Sequence, residues 1–227
     1  TSHSAIIARA LEIPAVLSVA NSCSALRNGM RAIVDGTEGV VIADPEADVL
    51  EKYTKAAADF AAEKAALESF RGQKTVTADG IEKILACNIG SPDDVANALD
   101  HDCEAIGLFR SEFLFMDSAE LPSEDEQFEA YRQTVLAMDG MKVIIRTLDI
   151  GADKQVAYFN MPKEENPAMG NRAIRISLTR PEVFRTQLRA LYRASAFGKV
   201  AIMFPMITSV WEVEECKRAC ENVMKEL

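Results

Sequence analysis

Apolar and polar positions change rhythm twice along these 227 residues. Up to residue 43 the apolar runs are short. An amphipathic helix begins near residue 3 and is closed by Pro14, and a brief apolar strand is predicted at 15–17. Runs at 32–34 and 40–42 flank Asp35-Gly36-Thr37-Glu38-Gly39, so a turn joins two return strands there. Residues 1–43 thus read as the end of a small α/β domain. Asp44-Pro45 stops that pattern, and from Glu46 to Phe70 the chain is rich in Ala, Glu, Lys and Leu with no Gly or Pro. This predicts one long helix. Its apolar face is mostly alanine and buries little area, which suits a linker (44–72) better than a core element.

After Gly72 the rhythm becomes strand, helix, strand. Thr75-Val76-Thr77 with Asp79-Gly80 predicts a small hairpin. Continuous apolar strands follow at 84–89, 105–109, 142–145 and 200–204, with helices to about Leu99 and over 123–138, 181–197 and 210–227. Buried strands separated by helices predict a parallel sheet covered on both faces. Four β/α units are half of a (β/α)8 TIM-type barrel, which needs about 250 residues in all. Residues 73–227 read as its first half, with an open four-stranded α/β sheet as the alternative.

Composition narrows the function. A net charge of -10 argues against nucleic acid as a partner. Residues 142–199 reverse the balance, with eleven Lys/Arg against five Asp/Glu. A basic island in an acidic chain predicts a small anionic substrate. No apolar run approaches the roughly 20 residues of a membrane span, so membrane insertion is not expected. The five cysteines show no CxxC or zinc spacing and read as free thiols in a reducing cytosol. No metal ligand set is assigned.

Three positions carry the chemistry. His3, framed by Thr1, Ser2 and Ser4, falls in the first turn of a helix. The positive end of the helix dipole favours a neutral ring and would stabilise a negative group bound to it. That suits a histidine acting as a phosphoryl carrier; a capped surface histidine is the plainer alternative. Arg110 and Arg146 close two consecutive strands, and active residues of parallel α/β folds gather at strand C-terminal ends. Planar guanidinium forks bind phosphate oxygens in pairs. Lys154 and Arg172, in the loop after the third strand, are further ligand candidates. Arg175, Arg185, Arg189 and Arg193 read as solvated helix faces or interdomain ion pairs.

The segment Thr1-Ser2-His3-Ser4-Ala5-Ile6-Ile7-Ala8-Arg9, with Glu12-Ile13-Pro14-Ala15-Val16, resembles the phosphohistidine motif of the phosphoenolpyruvate-utilising enzymes. Residues 107–117, beginning Gly107-Leu108-Phe109-Arg110-Ser111-Glu112, are similar to the enzyme I branch of that family rather than to its dikinase or synthase branches. So are 146–154, 162–167, 172–175, 194–199 and 203–207, so the resemblance covers essentially the whole chain. It implies a swivelling phosphohistidine domain ending at 43, a linker, and a phosphoenolpyruvate-binding barrel truncated at Leu227. It also implies that His3 takes a phosphoryl group from phosphoenolpyruvate and passes it to the carrier protein HPr for sugar uptake. Arg110 and Arg146 would bind the substrate phosphate, with Arg172 and Lys154 nearby, and Mg2+ would be held by carboxylates beyond Leu227. A cytoplasmic homodimer is implied for the intact protein. With His3 third and no initiator Met, the chain is expected to be an internal fragment, inactive by itself. The alternatives are the dikinase or synthase branch, or a non-catalytic regulatory binding module.

Overall fold

A computed structural model describes all residues except 1–4, 6–7, 9–12, 21 and 152–155, together with all side chains of the described residues but those of 22, 23 and 157. The chain divides into two units, Thr1–Arg71 and Gly72–Leu227.

In the first unit, β1 (Ala32–Asp35) and β2 (Val40–Ala43) pair antiparallel, from Ala32 opposite Ala43 to Asp35 opposite Val40. Asp35 Oδ1 accepts the N–H groups of Thr37 and Glu38 at 2.9 and 3.0 Å, the local bond that makes aspartate a turn residue. The strand predicted at 15–17 does not form: the sheet contains β1 and β2 alone. A run of three apolar residues is too short to hold, because Pro14 offers no N–H and Ser18 turns the chain at φ 57°. Helix α1 (Ala47–Glu68) runs 22 residues and none of them is buried, as its alanine-rich composition predicts.

The second unit opens with a small hairpin in which Val76 bridges Glu82 and Gly80 turns at φ 83°. It continues as β3 (Ala86–Ile89), α2 (Asp94–Asp100), β4 (Ala105–Arg110), α3 (Glu112–Met116), α4 (Glu124–Ala137) and β5 (Lys142–Arg146). A 3-10 turn at Ala157–Phe159, α5 (Ile174–Thr179), α6 (Pro181–Ser195), β6 (Val200–Met203) and α7 (Val210–Glu226) complete it. The starts of α4 and α7 are legible in sequence: Ser123 with Glu126, and Ser209 with Glu212, each form a capping box.

All four strands of this sheet are parallel, in the order β3-β4-β5-β6. Val143 and Ile145 point to one face of β5, two residues apart. They join Ile106, Phe109, Tyr131, Leu188, Leu191 and Val223 in the main core, so α4, α6 and α7 all pack on that face. A second cluster, built from Phe115, Leu148, Ile150, Phe159 and Ile176, fills the space beneath the segment after β5. Among the described residues, no helix is long and apolar enough to cross a membrane.

Candidate anion-binding site

Parallel pairing sets Arg110 and Arg146 opposite each other at the C-terminal ends of β4 and β5. Along β5 the buried positions alternate, so Arg146 emerges on the face opposite Ile145 and away from the main core. There it enters an ion-pair cluster. Its Nη2 lies 2.5 Å from Glu112 Oε1 and its Nη1 2.8 Å from Asp149 Oδ2. Asp149 offers its other oxygen to Arg172 Nη2 at 3.1 Å. One carboxylate therefore holds two guanidinium groups that lie far apart in sequence. The Glu112 side chain is 3% exposed and that of Arg146 17%. Pairing is what makes such burial of charge tolerable.

Local structure supports each member. Leu148 and Ile150, flanking Asp149, plug into the second cluster. Arg172 is followed by Ala173, buried with φ 54°, whose N–H donates to the Ile150 carbonyl at 3.1 Å. A left-handed backbone in a non-glycine residue costs about 1–3 kcal/mol, a strain found where surrounding structure dictates it. Glu164 accepts the Asn171 N–H at 3.0 Å, and its carboxylate passes over Gly170, where a Cβ would lie 1.3 Å from it. A larger residue there would displace the Glu164 carboxylate.

Arg110 is arranged differently. It is exposed, and its guanidinium stacks over the Phe113 ring, 5.1 Å from the centroid. Charges in the cluster of Arg146, Arg172, Glu112 and Asp149 balance, so Arg110 supplies the surplus positive charge. The Arg146 Nε and the Thr147 Oγ1 are buried and have no hydrogen-bond partner among the described residues. Burial also holds the Tyr131 phenol above its ordinary value, so it stays a neutral hydrogen-bonding group.

Of the five sequence candidates, Arg110, Arg146 and Arg172 fall at this one end of the sheet. His3 and Lys154 lie outside the described residues. Sequence reasoning did not single out Glu112 and Asp149, although each follows a strand-end arginine by two or three residues. Arg175, half-buried near the start of α5, donates from Nη1 to the carbonyls of Met169 and Gly170. Arg185, Arg189 and Arg193 pair with Glu226, Glu124 and Asp125, all within the second unit. Cys87 and Cys216 are each pushed up to about 11 by burial, so both stay thiols.

The carboxylates here are engaged by guanidinium groups, and no group of three or more His, Cys, Asp or Glu gathers as a metal site among the described residues. These residues do not fit a divalent cation. They suit a multiply charged oxyanion, which guanidinium groups grip in pairs.

The profile of the PEP-utilising enzyme, PEP-binding domain matches residues 64–227, and that of the PEP-utilising enzyme, mobile domain matches residues 1–39. The chain belongs to the phosphoenolpyruvate-utilising enzymes. It is similar to the phosphoenolpyruvate-protein phosphotransferase of Latilactobacillus sakei, 53% identical over 223 residues that cover 98% of this chain and 39% of the relative. The protein of the same name from Bacillus subtilis (strain 168) is 50% identical over 217 residues, covering 96% and 38%. That of Staphylococcus epidermidis is 46% identical over 230 residues, covering 100% and 40%. The chain thus spans well under half the length of these relatives.

Proposed function

We propose that this chain carries the phosphohistidine segment and part of the substrate cradle of a phosphoenolpyruvate-protein phosphotransferase of the enzyme I type. His3 attacks the phosphorus of phosphoenolpyruvate; the bond from phosphorus to the enol oxygen breaks and a nitrogen–phosphorus bond forms. The enolate leaves and is protonated to pyruvate. A histidine of HPr then takes the phosphoryl group, and sugar uptake follows downstream. Arg146 and Arg172, joined by Asp149, hold the phosphate with Arg110, and Lys154 is a further candidate ligand. Their charge stabilises the transferring group and the leaving enolate.

The observation that carries this reading is the juxtaposition of the three arginines: two tied through one carboxylate, and the third in register on the next strand. The relatives' printed name supports it. Residues 1–43 are read as the end of the swivelling domain, 44–72 as the linker and 73–227 as the first half of a (β/α)8 barrel. A sheet order without reversal favours a barrel over a doubly wound sheet, because right-handed crossovers then leave every helix on one face. Mg2+ belongs to the proposed chemistry, with ligands other than the residues described. The intact protein is read as a cytoplasmic homodimer, and residues 1–227 alone as inactive.

Labelled phosphoenolpyruvate with Mg2+, given to the full-length protein before and after His3→Ala, tests the reading. The expected result is acid-labile, base-stable label that passes to HPr without nucleotide and disappears in the variant. Label that requires ATP would instead place the chain in the dikinase or synthase branch. No label at all would leave a binding module.

A further inference from the structure

One buried side chain on a helix is hydrogen-bonded at both strand ends that carry the arginines. Gln187 of α6 is 1% exposed. Its Oε1 accepts the Leu148 N–H at 2.9 Å. Its Nε2 donates to Ser111 Oγ and to the Tyr131 hydroxyl, each at 3.1 Å. Ser111, fully buried, in turn donates to the Arg146 carbonyl at 2.6 Å. The backbone groups on the two sides of Thr147 are thus pinned to one amide, the Leu148 N–H directly and the Arg146 carbonyl through Ser111.

We propose that Gln187 is a positioning residue for phosphate binding: by pinning the backbone on either side of Thr147 it aims Arg146 and Asp149, and through Asp149 also Arg172. The inference rests on the phosphoenolpyruvate reading above.

The chemistry of the amide explains why glutamine serves here. Leu148 offers a donor and Ser111 an oxygen that has already committed its own proton to Arg146. The position therefore needs one acceptor and at least one donor on a single planar group, which an amide supplies without charge. Tyr131 takes the second donor. Both sides of β5's exit are then held without burying another ion, in a region where Glu112 and Arg146 already balance each other. Leucine at 187 would keep the volume but strand the buried Leu148 N–H and leave the 146–149 segment free to shift. Glutamate would keep the acceptor; only its protonated form would also keep a donor.

The test is the dissociation constant for phosphoenolpyruvate in the full-length protein, measured well below its melting temperature for the parent and four variants. Gln187→Leu should bind roughly 10–100-fold more weakly, the scale on which misaimed binding groups lose affinity. Val223→Ala, which opens the core on α7 away from the site, should lower the melting temperature and leave affinity unchanged. For Gln187→Glu, the deficit relative to the parent at the same pH should shrink as pH falls. Burial raises the carboxyl's pKa, and its neutral form restores the missing donor. That arm judges the idea even if Gln187→Leu does not fold.

Parent-like binding by Gln187→Leu overturns the proposal, as does a Val223→Ala loss of equal size or a Gln187→Glu deficit that ignores pH. Arg146→Ala separates the two levels. If it abolishes binding while Gln187→Leu binds like the parent, the glutamine's role falls alone. A parent that binds no phosphoenolpyruvate overturns the functional reading and this role together.

Discussion

The ends of β4 and β5 lie side by side at one register, and they are built in opposite ways. At the end of β5, Arg146 is mostly buried, paired with two carboxylates and carried on a segment plugged into the second core by Leu148 and Ile150. At the end of β4, Arg110 is exposed and leans on one aromatic ring, which itself rests against Gly90. The difference separates two tasks that a phosphate site must combine. A neutralised, held cluster orients the ligand but attracts it weakly from a distance, since its charges cancel. An exposed cation attracts without fixing geometry, and that attraction responds to salt. On the proposed reading, β5 aims and β4 draws in.

Removing the held cation should give the larger effect on the fold. Arg146→Ala would leave Glu112 buried without its guanidinium, and breaking a buried pair from one side costs about 3–5 kcal/mol. Urea unfolding of the variant should show that loss along with lost phosphoenolpyruvate binding. A stability loss under about 1 kcal/mol, the scale of an exposed pair, would mean that the cluster is solvated and the contrast is false.

The exposed cation should show the reverse. Arg110→Ala removes a guanidinium stacked on an exposed face, worth about 0.5–1 kcal/mol at most. Its affinity for phosphoenolpyruvate should nevertheless drop roughly tenfold or more, since a charged hydrogen bond to phosphate contributes about 1.5–3 kcal/mol. The deficit should be greater at low salt than at high salt. If Arg110→Ala unfolded as readily as Arg146→Ala, or if its deficit did not depend on salt, the two ends would not differ in kind.

How much of this contrast is legible in the sequence depends on how far apart its partners stand. Arg110 and Arg146 can be picked out because each directly follows a continuous apolar strand, and strand ends are where such folds place chemistry. The starts of α4 and α7 are legible because their capping residues stand three apart. The helices α3 and α5, five and six residues long, are too short for a period to show. Glu112 and Asp149 do not stand out as organisers in the sequence, because the guanidinium on Glu112 lies 34 residues away and the second guanidinium on Asp149 lies 23 away, and Gln187 reaches across 39 and 76. Nothing local in Gln187's surroundings separates it from an ordinary polar residue on an amphipathic helix. The expected strand at 15–17 failed for the opposite reason: local apolarity suggested it, but Pro14 offers no N–H and Ser18 turns the chain at φ 57°.

The smallest effect concerns the helix that presents Gln187 to the β5 end. On its outer side α6 is tied by Arg189 and Arg193 to Glu124 of α4, and by Arg185 and Arg189 to Glu226 of α7. Burial pushes the Glu124 carboxyl up, but the hydrogen bonds of Arg189 and Arg193 outweigh it and leave it below its ordinary 4.5. Glu226 is lowered as well, first by its bond to Arg185, and Glu212 by the Thr208 N–H at the start of α7. A carboxylate depressed in the folded state stabilises the fold above its unfolded pKa, and that stability is lost as pH falls through the folded value. The melting temperature of this chain should therefore decline as pH is lowered from 4.5 downward, and less steeply in high salt, because these pairs are partly exposed. Arg189→Met, which removes the cation shared by Glu124 and Glu226, should flatten that decline. An acid profile identical to that of the unaltered chain would show that the lost stability lies elsewhere, and α6 would then be held at the β5 end by its apolar face and the Gln187 hydrogen bonds without help from these ion pairs.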